Sequence, residues 1–143
     1  MNNEKIVVIG LGSNQGDRPR YLKAAVAQMS LRVGTLLRAS SVSETEAWGF
    51  IAPPFLNQIV VMRTSLSPLD LLDTLQAIER QLGRTEKTTL IDGKPAYRNR
   101  TIDLDILDYD GIRYSDERLV LPHPRIRQRP FIQMQLSELG III

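Results

Sequence analysis

The 143-residue chain contains no cysteine and a single histidine. Disulfide scaffolds, thiolate metal sites, cysteine nucleophiles and multi-histidine zinc sites are therefore removed from consideration. A chain without cysteine suits a reducing compartment, and a cytoplasmic protein is expected. Aromatic residues are few: three Phe, four Tyr and one Trp. No apolar run approaches the ~18–20 residues of a membrane span, so no membrane partner is expected. The opening Met1-Asn2-Asn3-Glu4-Lys5 lacks the basic-then-apolar pattern of a secretion signal. Net charge is only +2, yet its distribution is uneven. Arg113, Arg118, Arg125, Arg127 and Arg129 crowd the last third, a grouping that suits phosphate. With 43% hydrophobic and 24% charged residues the composition is that of a soluble globular protein. The length suits one domain, 1–143.

What is present is concentrated in Arg100-Thr101-Ile102-Asp103-Leu104-Asp105-Ile106-Leu107. Apolar and acidic residues alternate there as on a half-buried strand. Ile102, Leu104 and Ile106 would face a core, leaving Asp103 and Asp105 together on the other face, Cα atoms roughly 6.5–7 Å apart. Two such carboxylates repel, and a hard cation relieves the repulsion. Mg²⁺ is typically held by one or two carboxylates together with substrate phosphates. The plainer alternative is an amphipathic strand with a solvated acidic face.

The rest of the chain supplies a frame for this strand. Lys5–Leu11 reads as a buried strand. Gly12–Asp17 reads as a turn, with Asp17 capping a helix that has Pro19 in its first turn. Tyr21, Leu22, Ala25, Val26 and Met29 recur at helical spacing, and Gly34 is expected to stop that helix. Thr35 to about Glu46 is extended, Ala47–Pro54 is a loop, and Phe55–Arg63 is a central strand. Ser67 and Pro68 start a second helix with Leu71, Leu72, Leu75, Ile78 and Leu82 as its buried stripe and Gly83 at its close. Arg84–Asn99 is a polar loop whose length points to function or mobility. After the acidic strand come a tight turn at Asp110-Gly111, an irregular stretch from Leu121 to Pro130, and a last helix from about Pro130 to Leu139. The order strand, helix, strand, strand, helix, strand is that of a ferredoxin-like α+β fold, βαββαβ. It predicts an antiparallel sheet with both main helices on one face.

Gly10-x-Gly12-x-x-x-Gly16 departs from the dinucleotide-binding spacing, and no Gly-Lys-Ser/Thr occurs, so neither nucleotide-loop fingerprint is present. These glycines are expected to serve a tight strand-to-helix turn. Phe55 and Asn57 share one face of their strand. A ring that stacks beside an amide that both donates and accepts suits a flat heterocycle. Phe131 is a candidate second wall, a pairing that spacing leaves open. Gln76 and Glu79 stand three apart on the second helix, where a solvated face is the alternative. His123 sits between Pro122 and Pro124, within the arginine cluster.

Taken in order, Gly12-Ser13-Asn14, Thr45-Glu46-Ala47-Trp48-Gly49, Phe55-Leu56-Asn57, Glu79 with Gly83-Arg84, Arg100 to Asp105, and Pro122-His123 with Arg129 and Phe131 resemble the 6-hydroxymethyl-7,8-dihydropterin pyrophosphokinase family. The match runs from about Ile6 to Phe131. The resemblance implies a ferredoxin-like fold and transfer of pyrophosphate from ATP to the pterin hydroxymethyl group, releasing AMP, in folate synthesis. It implies two Mg²⁺ ions held by Asp103 and Asp105. The pterin would stack between Phe55 and Phe131, with Asn57 at its edge, Asp103 beside it, and backbone groups near Thr45 and Trp48. Gln76, Glu79, Arg100, Ile106, Arg118, His123 and Arg129 match positions lining the ATP site. Arg84 and Arg100 match arginines that act on the phosphates, and the loop Arg84–Asn99 would close over them. The chain departs from the family where Tyr97-Arg98-Asn99 replaces a Trp-Gly-Pro found in many members. Glu86 stands where some place a second loop arginine, and Pro124 where an aromatic can occur. A monomer acting on ATP and the pterin, without nucleic acid, is expected.

Two other classes compete. Ferredoxin-like sheets can carry RNA on central-strand aromatics, but the RNA-binding aromatic motif is missing and paired carboxylates repel a phosphate backbone. A metal-dependent phosphohydrolase could use the same aspartates with water as acceptor. Fold alone decides none of these.

Overall fold

The amphipathic pattern of each segment is resolved into layers in the computed structural model, which describes residues 3–46, 53–83 and 101–143, and residues 88–91 and 94–97 by their backbone. The first strand, β1 (Lys5–Ser13), is central in the sheet and covered on both faces from Val7 onward. Its Val7, Ile9 and Leu11 face one side of the sheet with Val60, Met62, Leu104 and Ile106. Against that side pack α1 (Arg18–Arg32) through Leu22, Ala25 and Met29, and α2 (Pro68–Gln81) through Leu71, Leu75 and Ile78. Both caps are as read: Asp17 Oδ1 accepts from the Arg20 N–H at 3.3 Å, and Ser67 Oγ from the Asp70 N–H at 3.2 Å. Val8, Ile59, Val61 and Leu107 face the other side, where Ile132, Leu136 and Leu139 cover them. Those three belong to α3 and its cap (Pro130–Glu138, cap Leu139), preceded by a single 3₁₀ turn at Ile126–Gln128.

The main sheet is antiparallel. β2 (Gly34–Ala39) pairs with β4 (Phe55–Thr64), β4 with β1, and β1 with β7 (Asp103–Tyr109); β3 (Ser43–Thr45) extends β4 at its start. Numbering the four long strands in chain order gives 4-1-3-2, the ferredoxin-like arrangement, with α1 and α2 on one face as the element order predicts. Two short hairpins complete the fold, β5 (Thr88–Ile91) with β6 (Lys94–Tyr97), and β8 (Tyr114–Ser115) with β9 (Val120–Leu121). The stretch read as a polar loop from Arg84 to Asn99 therefore carries a hairpin. No helix among the described residues is long and apolar enough to cross a membrane.

Two local expectations are corrected, and one strand carries an irregularity that was not anticipated. The first helix ends at Arg32, and Gly34 opens β2 instead of stopping the helix. A Cβ on Gly34 would stand 1.9 Å from the Arg63 carbonyl oxygen, so close approach of two strands requires the glycine. Gly10 and Gly12 lie inside β1, not in the strand-to-helix turn; that turn uses Gly16, at φ +72°. Finally, β7 carries a bulge at Leu107, because Val8 pairs with Asp108 but Ile9 with Ile106. The extra residue buries both Ile106 and Leu107, one on each face.

Candidate active site

β1 sits between β4 and β7, and its outer face has glycine where side chains would be. Gly10 is opposite Asp105 on β7 and Ile59 on β4, and Gly12 is opposite Asp103 and Asn57. The two bare positions leave an open floor, flanked by Asp103 and Asp105 on one side and by Phe55 and Asn57 on the other. A Cβ on Gly12 would stand 3.3 Å from Phe55 Cδ1 and 3.6 Å from Asn57 Oδ1. The entry to β4 is braced from the turn after β1 and from the start of α1: the Asn14 side-chain amide donates to the Pro53 carbonyl at 3.2 Å and the Arg18 guanidinium to Pro54 O at 2.8 Å.

Above this floor lies a cavity of about 190 Å³. Thr45, Phe55, Asn57, Asp103, Asp105 and Phe131 all line it. Register explains the grouping on the β4 side, since Thr45 pairs with Phe55 and Ser43 with Asn57. The Asn57 amide donates to Thr45 Oγ1 at 2.7 Å, which fixes the orientation of a carboxamide that is only 6% exposed. Arg125 and Arg129 bring positive charge to the rim.

A second cavity lies on the α2 side of β7. Gln76, Ile106, Arg118 and His123 line it, and Asp105 lines it too. Arg118 is held at 2.5 Å by Asp73, which raises its already high pKa, and reaches Gln76 Oε1 at 3.5 Å. Asp116, on the same rim, accepts from the Tyr114 hydroxyl at 2.5 Å and from the Arg118 and Leu119 N–H groups at 2.7 and 2.9 Å. The tyrosine bond first, then the backbone bond from Arg118, hold its carboxyl below the ordinary carboxylate range, and the same contact pushes Tyr114 up. His123 Nδ1 accepts from the Arg125 N–H at 3.1 Å, and its backbone N–H donates to Leu107 O at 2.9 Å.

Two residues matched by resemblance to the nucleotide site do not line the second cavity. Glu79 is buried, and its Oε2 accepts from the Leu104 N–H at 2.8 Å, between the two aspartates. Arg129 lines the first cavity, not the second. Of the arginine cluster, Arg113 and Arg127 line neither. Trp48, Arg84 and Arg100 lie outside the described residues, as do Glu86, Arg98 and the Tyr97 side chain.

Residues 8–140 match the family described as 7,8-dihydro-6-hydroxymethylpterin-pyrophosphokinase, HPPK. The chain belongs to this family. The 2-amino-4-hydroxy-6-hydroxymethyldihydropteridine pyrophosphokinase of Porphyromonas gingivalis is 46% identical over 137 residues, 94% of this chain and 90% of the relative. The enzyme of that name from Bacillus subtilis is 40% identical over 141 residues, 97% of this chain and 79% of the relative. Among solved structures, an HPPK-DHPS in complex with substrates superposes with a TM-score of 0.70 at 16% identity, over 95% of this chain and 40% of that longer one. Wild-type Plasmodium falciparum HPPK-DHPS with pterin and p-hydroxybenzoate also gives 0.70 at 16% identity, over 96% and 38%. At these identities the structures establish the α+β fold. Family and relatives together establish the activity, pyrophosphoryl transfer from ATP to hydroxymethyldihydropterin in folate biosynthesis.

The donor set of this HPPK chain fits Mg²⁺. Two half-buried carboxylates, two residues apart on one strand face, line the first cavity, and Asp105 lines the second as well; no thiolate competes with them. Among the described residues no group of three His, Cys, Asp or Glu side chains converges, so the pair carries the metal reading alone. A cation there needs further oxygens from solvent and phosphates, which is how Mg²⁺ is usually completed. The structure adds Gly10, Gly12, Arg125 and Gln135 to the cavity residues found from sequence. Three of these carried only a local hint: glycines two apart on a strand share a face, and Gln135 stands one helical turn after Phe131.

Proposed function

We propose that the chain carries out its transfer across β7, with the pterin in the first cavity and ATP in the second. The supporting observation is that Asp105 lines both cavities, so the acidic pair lies where the two substrates would meet. Phe55 and Phe131 would hold the ring, and the Asn57 carboxamide would read its edge. Arg118, His123 and Gln76 would receive the nucleotide. Arg84 and Arg100 take their role on the phosphates from their match to the family motif.

The hydroxymethyl oxygen bonds to the β-phosphorus of ATP while the bond from that phosphorus to the oxygen bridging the α-phosphate breaks. AMP leaves and the hydroxyl proton is released. No general base is needed, because phosphoryl-type transfer depends mostly on alignment and charge neutralisation. Asp103 and Asp105 would hold Mg²⁺, which supplies neutralisation of phosphate charge and polarisation of the attacking oxygen. Arg125 and Arg129, at the first cavity, add positive charge where the product pyrophosphate forms. A cytoplasmic monomer is the proposed acting unit.

The test is incubation with ATP, Mg²⁺ and hydroxymethyldihydropterin. AMP formed in step with consumed pterin, and only when pterin is present, supports the reading. ADP, or AMP formed without pterin, refutes it.

A further inference from the structure

α3 contributes more than Phe131 to the first cavity. Gln135 stands four residues later, on the same helix face, and lines the same space. It is 4% exposed. Its Nε2 donates to Asn57 O at 3.0 Å and lies 3.2 Å from both Ser41 O and Ser43 Oγ. One amide thus joins α3 to β4, at the very residue that carries the edge-reading carboxamide. It also joins α3 to the segment entering β3, whose last residue Thr45 receives the Asn57 amide.

The opposite end of the amide is costly. Gln135 Oε1 is buried with no hydrogen-bond partner among the described residues. Turning the amide over would set that oxygen against two carbonyl oxygens, Ser41 O and Asn57 O, so its orientation is determined by its surroundings. An unsatisfied buried acceptor disfavours the folded state, and Met or Leu could fill similar volume without it. What the amide gives the fold therefore rests on its Nε2 bonds alone. Other ties hold α3 to the sheet: the Glu138 carboxylate accepts from Ser41 N and Ser41 Oγ at 2.8 Å, and Arg38 donates to Leu139 O. Those lie further along the helix from Phe131. Gln135 is the tie at the depth of the cavity.

We propose that Gln135 is a positioning residue that sets the spacing between Phe131 and the Phe55–Asn57 wall, and thereby the fit of the pterin ring. This rests on the assignment of the pterin to the first cavity. Gln135 acts through its neighbours, holding α3 at one distance from β4.

The test compares Gln135→Met and Gln135→Glu with the parent in the AMP assay and in direct titrations of pterin and of an unreactive ATP analogue. Gln135→Met should raise the pterin KM and Kd about tenfold, with ATP affinity within twofold. Gln135→Glu, which places a carboxylate oxygen against the Ser41 and Asn57 carbonyl oxygens, should do worse for the pterin. A lowered melting temperature with both affinities unchanged would show a purely structural role and overturn the proposal. Equal loss for both substrates would overturn it as well. If Gln135→Met folds poorly, Ser43→Ala removes one of the three acceptors and should weaken pterin binding about twofold; no change there refutes the link. A parent chain without pterin-dependent AMP would overturn the underlying assignment too, whereas an active parent with an unshifted Gln135→Met overturns the positioning role alone.

Discussion

Adding one methyl group to the cavity floor separates binding from folding. Gly12→Ala introduces a Cβ 3.3 Å from Phe55 Cδ1 and 3.6 Å from Asn57 Oδ1. Gly12 lies in regular β1 without a positive φ, so alanine meets no backbone strain. Replacing glycine inside a strand recovers about 0.5–1 kcal/mol of backbone entropy. Crowding offsets part of this, and the net stability change should lie within about 1 kcal/mol of zero. The ring must yield by a few tenths of an ångström, towards the cavity. A mismatch of ~0.5–1 Å already forfeits a quarter to a half of each dispersion contact. An aromatic stack is worth about 0.5–1.5 kcal/mol beyond burial, so a loss near 1 kcal/mol is expected. That corresponds to roughly fivefold weaker pterin binding. Titration of pterin and of an ATP analogue, with thermal unfolding alongside, reads all three quantities. Gly10→Ala is the comparison: its Cβ would meet Leu107 Cδ1 at 3.4 Å, and its effect should be smaller. Unchanged pterin affinity in Gly12→Ala, or equal loss for both ligands, would refute the floor.

Two further expectations concern the fold. Gly34→Ala would set a methyl 1.9 Å from the Arg63 carbonyl oxygen, where backbone must move. It should cost at least ~2 kcal/mol in denaturant unfolding, in line with overpacking elsewhere, and a cost under ~0.5 kcal/mol would contradict the close approach. Asp116 gives a pH dependence. Its folded pKa is lowered, chiefly by the Tyr114 hydroxyl, so its contribution is present above the unfolded carboxylate pKa of ~3.9 and is lost as pH falls through the lower folded value. The stability difference between the parent and Tyr114→Phe should shrink below about pH 4. A difference that stays constant from neutral pH to pH 2 would contradict the assignment.

Much of this architecture was legible because local signals agreed. Asp17, Ser67 and Pro68 mark helix starts by chemistry that acts within a few residues. The 3.6-residue stripes of α1 and α2 and the alternation of β7 report burial directly. What escaped depends on partners distant in sequence. The demand for glycine at 34 comes from Arg63 on another strand. The floor at Gly10 and Gly12 exists only because β7 and β4 flank β1. The Leu107 bulge arises from pairing, not from the composition of β7. Gln135 reads as an ordinary polar helix residue until Asn57 is brought beneath it. The site showed the same division. Thr45, Phe55, Asn57, Asp103, Asp105 and Phe131 converge, and Gln76, Ile106, Arg118 and His123 gather separately. Glu79 instead serves the backbone of the acidic strand.

The most direct measurement is the titration of Mg²⁺ with an unreactive ATP analogue into three variants: Asp103→Asn, Asp105→Asn and Asp108→Asn. Asp108 is on the same strand but lines neither cavity and accepts only a local bond from the Gly111 N–H at 3.1 Å among those described. Metal-dependent nucleotide binding should weaken at least tenfold in the first two and match the parent in the third, with all three folded. Parent-like binding in Asp103→Asn and Asp105→Asn, or equal loss in Asp108→Asn, would contradict the role given to the acidic pair.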